Sequence, residues 1–118
     1  MTSPTSLAAI PSLTGRELIQ IGLGCNEIIF YFDQGVWIKS ESAFTVRHAE
    51  GRRFMLDRPW SGAGDLVQLL GQQITRVGQV SETELDIELG TAWIIELRPN
   101  SRGFESFAVA WPGGLAGA

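Results

Sequence analysis

The chain has 118 residues, of which 44% are hydrophobic and 19% charged, and its formal net charge is −4. This length suits one domain that buries about two-thirds of the surface of its unfolded chain, and the composition is globular rather than disordered. The mild acidity argues against nucleic-acid and anionic-membrane partners, because both usually require a basic surface.

Apolar runs, the N-terminus and the cysteine count indicate the cellular compartment. No apolar run approaches the ~20 residues that span a membrane, and the first residues lack the positive charges and long apolar stretch of a secretory signal. The single cysteine, Cys25, excludes an intrachain disulfide. We therefore expect a cytoplasmic protein with no cofactor and no metal.

One pattern of glycines, tryptophans and apolar residues occurs twice, with corresponding residues 56 positions apart. The unchanged pairs are Leu13 and Leu69, Gly15 and Gly71, Gly22 and Gly78, Trp37 and Trp93, and Ile38 and Ile94. Between these anchors the best match shifts by one residue, so that Phe30 lies over Ile87. An insertion in one hairpin loop and a deletion in the next would produce that shift.

Alternating apolar residues predict β-strands in both copies of the pattern. The predicted strands are 18–21, 27–33, 36–40, 44–48, 53–56, 74–79, 83–89, 92–97 and 104–111. In the clearest of them Leu85, Ile87 and Leu89 face the core. Between the copies, the apolar spacing over 63–70 predicts one short helix, with Ser61 as a candidate cap and Gly71 in the left-handed position that ends it.

These elements divide a single domain into five segments. We expect an N-terminal arm over 1–12, a first β repeat over 13–56, a turn and helix over 57–71, a second β repeat over 72–111, and a flexible tail over 112–118. Each repeat is too small to bury its apolar face alone. The predicted fold is therefore mainly β: two antiparallel meanders packed as a sandwich or partly open barrel, with the helix covering one end.

Three acidic side chains, Glu84, Asp86 and Glu88, recur at every second position of one predicted strand, about 6–7 Å apart. Paired carboxylates can serve acid–base catalysis or bind a hard cation, but a cation site usually draws its ligands from a loop that curls round the ion. We interpret this acidic stripe as a solvated face, and recognition of a basic partner is its functional alternative.

Five basic residues form one cluster in the sequence. They are Arg47, His48, Arg52, Arg53 and Arg58. This cluster is a candidate site for phosphate or nucleic acid. The favoured interpretation is that these are exposed hairpin charges, some of which pair with acids of the second half.

The two tryptophans at matching positions, Trp37 and Trp93, suggest either a symmetric ligand platform or two equivalent structural aromatics, and we favour the structural role. No catalytic constellation can be assembled around the only histidine, His48, because no partner nucleophile is evident. Residues 22–24 lack the strand–helix context and third glycine of a dinucleotide loop.

The scheme G-x-x-[LI]-x-x-[IV], an alternating strand, D-x-G and another strand resembles a family of small bacterial proteins known only as a domain of unknown function. The matching segments are 15–21, 33–35, 71–77, 104–107 and 112–114. The resemblance implies a doubled β unit with a short helical link, and it brings no catalytic residues.

Together these features favour a non-enzymatic protein-interaction module that binds another protein or a second copy of itself. Small acidic bacterial β domains sometimes neutralise basic toxins, so an immunity-like role is one form of this hypothesis by analogy of fold. A small-molecule-binding β-barrel with a cavity near Trp37, Trp93 and the helix is the alternative. An enzyme that uses His48 and the neighbouring arginines is the second alternative.

Overall fold

The computed structural model describes residues 6–57, 60, 62–99 and 106–118, and within that part it has ten strands and two 3₁₀ helices. The strands are β1 (Leu18–Leu23), β2 (Ile28–Phe32), β3 (Trp37–Ser40), β4 (Phe44–His48), β5 (Arg53–Leu56), β6 (Ile74–Ser81), β7 (Glu84–Leu89), β8 (Trp93–Leu97), β9 (Phe107–Trp111) and β10 (Gly114–Gly117). An N-terminal 3₁₀ helix spans Leu7–Ala9, and a linking 3₁₀ helix spans Ala63–Leu69.

All strand pairs are antiparallel, and they form two five-stranded sheets. The first sheet has the order β1-β2-β3-β9-β10 and the second has the order β5-β4-β8-β7-β6. The two sheets pack face to face around one apolar core, so the predicted β-sandwich is confirmed and the described strands do not close into a barrel.

Sheet membership does not follow the two halves of the chain. Each sheet takes three consecutive strands from one half and is completed by the last two strands of the other, because β9 pairs with β3 and β4 pairs with β8. Each half thereby covers an edge that the other would leave open. The exchange joins both halves in a single core.

The two halves also meet where β1 and β6 begin, through backbone hydrogen bonds that correspond residue by residue. The N–H of Gly15 donates to the carbonyl of Ile74 at 2.7 Å, and the N–H of Gly71 donates to the carbonyl of Leu18 at 2.8 Å. Both glycines have positive φ, +91° and +85°, a region that side chains disfavour. The prediction of a left-handed Gly71 is therefore confirmed.

Strand alternation places the core as the sequence predicts. Leu85, Ile87 and Leu89 of β7 are each at most 1% exposed, and Ile28 and Phe30 of β2 are fully buried. Strand side chains alternate between the two faces of a sheet, so the intervening residues lie on the outer faces.

The predicted equivalence of Trp37 and Trp93 is wrong. Cross-strand pairing makes Ile95, rather than Ile94, the counterpart of Ile38. Ile38 and Ile95 each lie opposite the middle of the strand that precedes them. The hairpin loops 33–35 and 90–92 both hold three residues. The expected deletion, which would restore the 56-residue spacing after the one-residue shift, is therefore not present. Trp93 is consequently 9% exposed within the core, whereas Trp37 is half-buried on the outer face of the first sheet.

The linking helix has 3₁₀ geometry, which changes what its apolar residues do. In a 3₁₀ helix the side chains at positions i and i+3 lie on one line. Leu66 and Leu69 are accordingly buried, whereas Val67 is 63% and Leu70 41% exposed. The helix is preceded by Gly62 and has no side-chain cap; Ser61, the predicted cap, lies outside the described residues.

The C-terminal tail, expected to be flexible unless it docks, is docked on the first sheet. Residues 112–113 turn the chain, with φ of Gly113 at +92°, and β10 then pairs with β9. Ala116 is fully buried, and the backbone of Ala118 exchanges hydrogen bonds with that of Phe107. The open edge of β9 supplies backbone partners that a composition of glycine and alanine does not reveal. The predicted strand 104–111 is described as Phe107–Trp111, since residues 100–105 lie outside the described part.

Candidate functional site

The acidic stripe on β7 is paired with arginines rather than open to a partner. The guanidinium of Arg98 lies 3.2 Å from the carboxylate of Glu84 and 2.9 Å from that of Asp86. The carboxylate of Glu88 contacts Arg76 at 2.7 Å. Each acid of the stripe thus has a cationic neighbour, which leaves little net charge to attract a basic protein.

Two arginines of the predicted basic cluster belong to the same outer face. Arg47 lies 3.7 Å and Arg53 3.4 Å from the carboxylate of Glu96, which also contacts Arg98 at 3.6 Å. The prediction that these arginines pair with acids of the second half is confirmed; Arg58 lies outside the described residues. The sequence analysis missed Glu96, although alternation along β8 places it outward, opposite Asp86.

The other basic residues surround Trp93 at the start of β8. The His48 ring packs against the Trp93 ring at a centroid distance of 4.6 Å, and its Nδ1 accepts a hydrogen bond from the backbone N–H of Glu50. The Arg52 guanidinium lies over the same indole, 5.6 Å from its centroid. These contacts give His48 a packing role beside the core.

A pocket of about 350 Å³ opens beside these rings. Its lining consists of Arg52, Arg53, Phe54, Asp65, Gln68 and Trp93. The pocket lies beside Trp93 and two residues of the linking helix. Trp37 does not line this pocket.

A second depression is almost entirely apolar, and we call it the apolar groove. It lies between β1 and the linking helix and measures about 360 Å³. Its lining consists of Ile19, Gln20, Ile21, Leu23, Ala63, Gly64, Leu66, Val67 and Leu70. Four of these side chains are substantially exposed, from 41% for Leu70 to 63% for Val67. None of the nine carries a charge.

A third depression, the polar groove, lies between the N-terminal helix and β6 and also measures about 360 Å³. It is lined by Leu7, Ala8, Ile10, Pro11, Ser12, Leu13, Thr14, Thr75, Arg76, Val77, Gln79 and Leu85. Every lining residue of the apolar groove has its counterpart 56 positions away in this set. The two grooves therefore occupy corresponding places in the two halves.

The linings of the two grooves differ at their outer positions. Leu23 corresponds to Gln79, Leu70 to Thr14, and Gln20 to Arg76. The sequence analysis did not single out the apolar groove. Two features of the sequence could have indicated it. Val67 and Leu70 are three residues apart, so they share one side of a 3₁₀ helix, and the first strand has no charged residue.

Two kinds of feature were compared with the described residues: membrane-spanning helices and clusters of metal-ligating side chains. No helix there is long and apolar enough to cross a membrane. No group of three or more histidine, cysteine, aspartate or glutamate side chains among those residues is placed to hold a metal ion.

Comparison with models of known protein families, with curated proteins and with solved structures finds no match to this chain. A functional proposal therefore depends on the chemistry of its own surfaces.

Proposed function

We propose that this protein is a non-enzymatic protein-interaction module and that the apolar groove is its docking surface. The observation that carries the proposal is the convergence of Ile19, Leu23, Val67 and Leu70, each at least 41% exposed, in one charge-free depression. Single exposed apolar side chains are common, but a contiguous group of them usually marks a binding surface.

The energetics favour a partner that covers these side chains. Removing a large aliphatic side chain from water contributes about 1.5–3 kcal/mol when it becomes fully buried. Partial exposure of four such groups therefore leaves several kcal/mol to be gained, part of which offsets the entropy lost on association. Because the groove has no charge, this association should depend little on salt.

The balance of charges argues against the acidic stripe as the docking surface. Four arginines and four acids share the outer face of the second sheet. They are Arg47, Arg53, Arg76, Arg98, Glu84, Asp86, Glu88 and Glu96. Their charges cancel, so electrostatic steering toward a basic partner is weak.

A selection experiment tests the proposal. Short random peptides displayed on phage are panned against the wild-type chain, against Leu23→Lys/Leu70→Lys, and against the matched control Gln79→Lys/Thr14→Lys. We expect one family of apolar sequences that binds the wild type and the control but not the groove variant. Absence of an enriched family, or enrichment that survives in the groove variant, would refute the proposed docking surface.

The pocket beside Trp93 supports a second candidate function, the binding of a small anionic molecule. Arg52 makes no ion pair with another described residue, and its stacking on the indole holds the guanidinium in place with its N–H donors available. A thermal-shift screen of carboxylates and phosphates tests this idea. A stabilising compound whose effect disappears in Arg52→Ala supports it, and a screen without such a compound refutes it.

A further inference from the structure

We infer that the partner docks by adding an extended strand to the free edge of β1, and that this strand is uncharged with an apolar side chain at every second position. This inference rests on the proposed function and states which class of polypeptide fills the apolar groove. The occupant is a segment of a foreign protein rather than a second copy of the chain.

The outer edge of β1 is available over most of its length. β1 is the first strand of its sheet, and its inner edge pairs with β2. On the outer edge Leu18 alone is occupied, by hydrogen bonds with Gly71 and Gln72 at 2.8 and 2.9 Å. Among the described residues no backbone hydrogen bond reaches the outer edge between Ile19 and Leu23. Such an edge can accept another strand.

The corresponding edge strand, β6, carries a charged side chain that disfavours the addition of another strand. Arg76 lies along that strand, with its guanidinium Nη1 2.9 Å from the position a side chain on Gly78 would occupy, and it pairs with Glu88. A strand added there would have to displace or desolvate a charged group. Charged side chains on edge strands commonly prevent such pairing, whereas Gln20, the counterpart of Arg76, carries no charge.

A bulge at the same point of both strands strengthens the contrast. The register shifts between Leu18 and Gln20 in β1 and between Ile74 and Arg76 in β6. In β6 the extra residue is Thr75, whose hydroxyl lies within hydrogen-bond distance of two backbone carbonyls, at 3.0 and 3.2 Å. In β1 the extra residue is an isoleucine that remains 57% exposed.

The spacing of the groove walls suits an extended occupant. Ile21 and Leu23 lie two positions apart on β1, about 6–7 Å from each other, and the bulged Ile19 lines the same groove. A strand hydrogen-bonded to β1 would lie about 4.8 Å from it, where its alternate side chains would meet Val67 and Leu70. Two copies of this chain each carry a net charge of −4, which disfavours their association, so we assign the edge to a foreign segment.

The test uses the intact chain, labelled with ¹⁵N, and an acetylated probe peptide of alternating valine and threonine. Strand addition should shift the amide resonances of residues 19–23 and 67–70 and slow the exchange of the β1 edge amides at least about tenfold. Leu23→Lys/Leu70→Lys should lose this response, and Gln79→Lys/Thr14→Lys should keep it.

Backbone methylation of the probe distinguishes strand addition from other modes of docking. N-methyl groups on the residues that face β1 should abolish binding, whereas N-methyl groups on the alternate residues should leave it unchanged. Binding in the groove that ignores this alternation would overturn strand addition and leave the proposed docking surface standing. Failure of every probe and every displayed peptide to bind the groove would overturn both.

Sedimentation equilibrium tests the assignment to a foreign segment. The wild-type chain should remain monomeric over the concentrations used for the titration. A dimer that forms with rising concentration and disappears in Leu23→Lys/Leu70→Lys would place a second copy on the β1 edge and overturn that assignment.

Discussion

The apolar and polar grooves have the same backbone framework, but their outward side chains differ in polarity. Both lie between an edge strand and a short 3₁₀ segment, and both are anchored by a positive-φ glycine whose N–H reaches the other half. The buried side chains beneath them are alike, since Leu69 corresponds to Leu13. The outward positions differ in polarity. Core packing and backbone hydrogen bonds constrain the framework, whereas solvent-facing positions are free to acquire a binding surface.

The largest effect should come from removing the buried leucine under each groove. Leu69→Ala and Leu13→Ala each delete a core side chain that is at most 4% exposed, and each should cost about 2–5 kcal/mol of unfolding free energy. Urea denaturation followed by circular dichroism measures both. A cost below about 1 kcal/mol for either one would show that the leucine contributes little to the core beneath its groove and that the two frameworks are not equivalent.

The next effect is a gain of binding when the polar groove receives the outward residues of the apolar groove. The triple variant Gln79→Leu/Thr14→Leu/Arg76→Gln should bind the probe peptide at a second site, about tenfold or more tighter than the unmodified polar groove does, which is about 1.4 kcal/mol.

Isothermal titration calorimetry reports this gain as a second bound peptide per chain. The single variant Arg76→Gln is its control, because it removes the charge without adding apolar surface. A triple variant that still binds one peptide would show that side-chain identity alone does not distinguish the two grooves.

The anchoring glycines should respond equally to substitution. Gly15 and Gly71 have positive φ, and no neighbouring atom lies within 4 Å of the point where a β-carbon would stand, so alanine meets backbone strain but no clash. Gly15→Ala and Gly71→Ala should each cost about 1–2 kcal/mol. Thermal and urea unfolding measure the two costs. Values that differ by more than about 1 kcal/mol would mean that one junction relaxes, and would limit the correspondence of the grooves to their geometry.

The smallest effect should be on the stability of the two lysine variants. Leu23, Leu70, Gln79 and Thr14 are all exposed, so both double substitutions should change the unfolding free energy by no more than about 0.5 kcal/mol. Retention on a hydrophobic-interaction column should nevertheless fall for Leu23→Lys/Leu70→Lys and stay unchanged for its control. Equal retention of both variants would show that the apolar groove contributes no accessible hydrophobic surface.

The local alternation of apolar and polar residues was sufficient to predict a strand wherever that strand has one buried and one solvated face. The alternation of Leu85, Ile87 and Leu89 with acids predicts β7 and its inward side chains, and all three are buried. The same reasoning predicts two packed sheets, as a sandwich or a partly open barrel, because two amphipathic sheets must cover each other. Pattern was insufficient where a backbone partner decides the structure. The C-terminal residues have little strand propensity, and they become β10 because the edge of β9 lies beside them.

The candidate site depended still more on tertiary structure. The acidic stripe was evident from spacing, but spacing did not show that Arg98, which follows the next strand, pairs with Glu84 and Asp86. The equivalence of the tryptophans failed because hydrogen-bond register, rather than residue identity, determines which positions correspond. A one-residue shift moves a side chain to the opposite face of its sheet.

The amino-acid sequence by itself determined most of the strands, their inward faces and several turn glycines, because these follow from periodicity and backbone sterics within a few residues. Tertiary structure decided which strands share a sheet, which acids meet arginines and which apolar residues stay exposed. Leu66 and Val67 illustrate the division: both are apolar neighbours in one helix, yet one is 1% and the other 63% exposed. The winding of the helix places them on different sides, and packing of the helix on the core decides which side is buried.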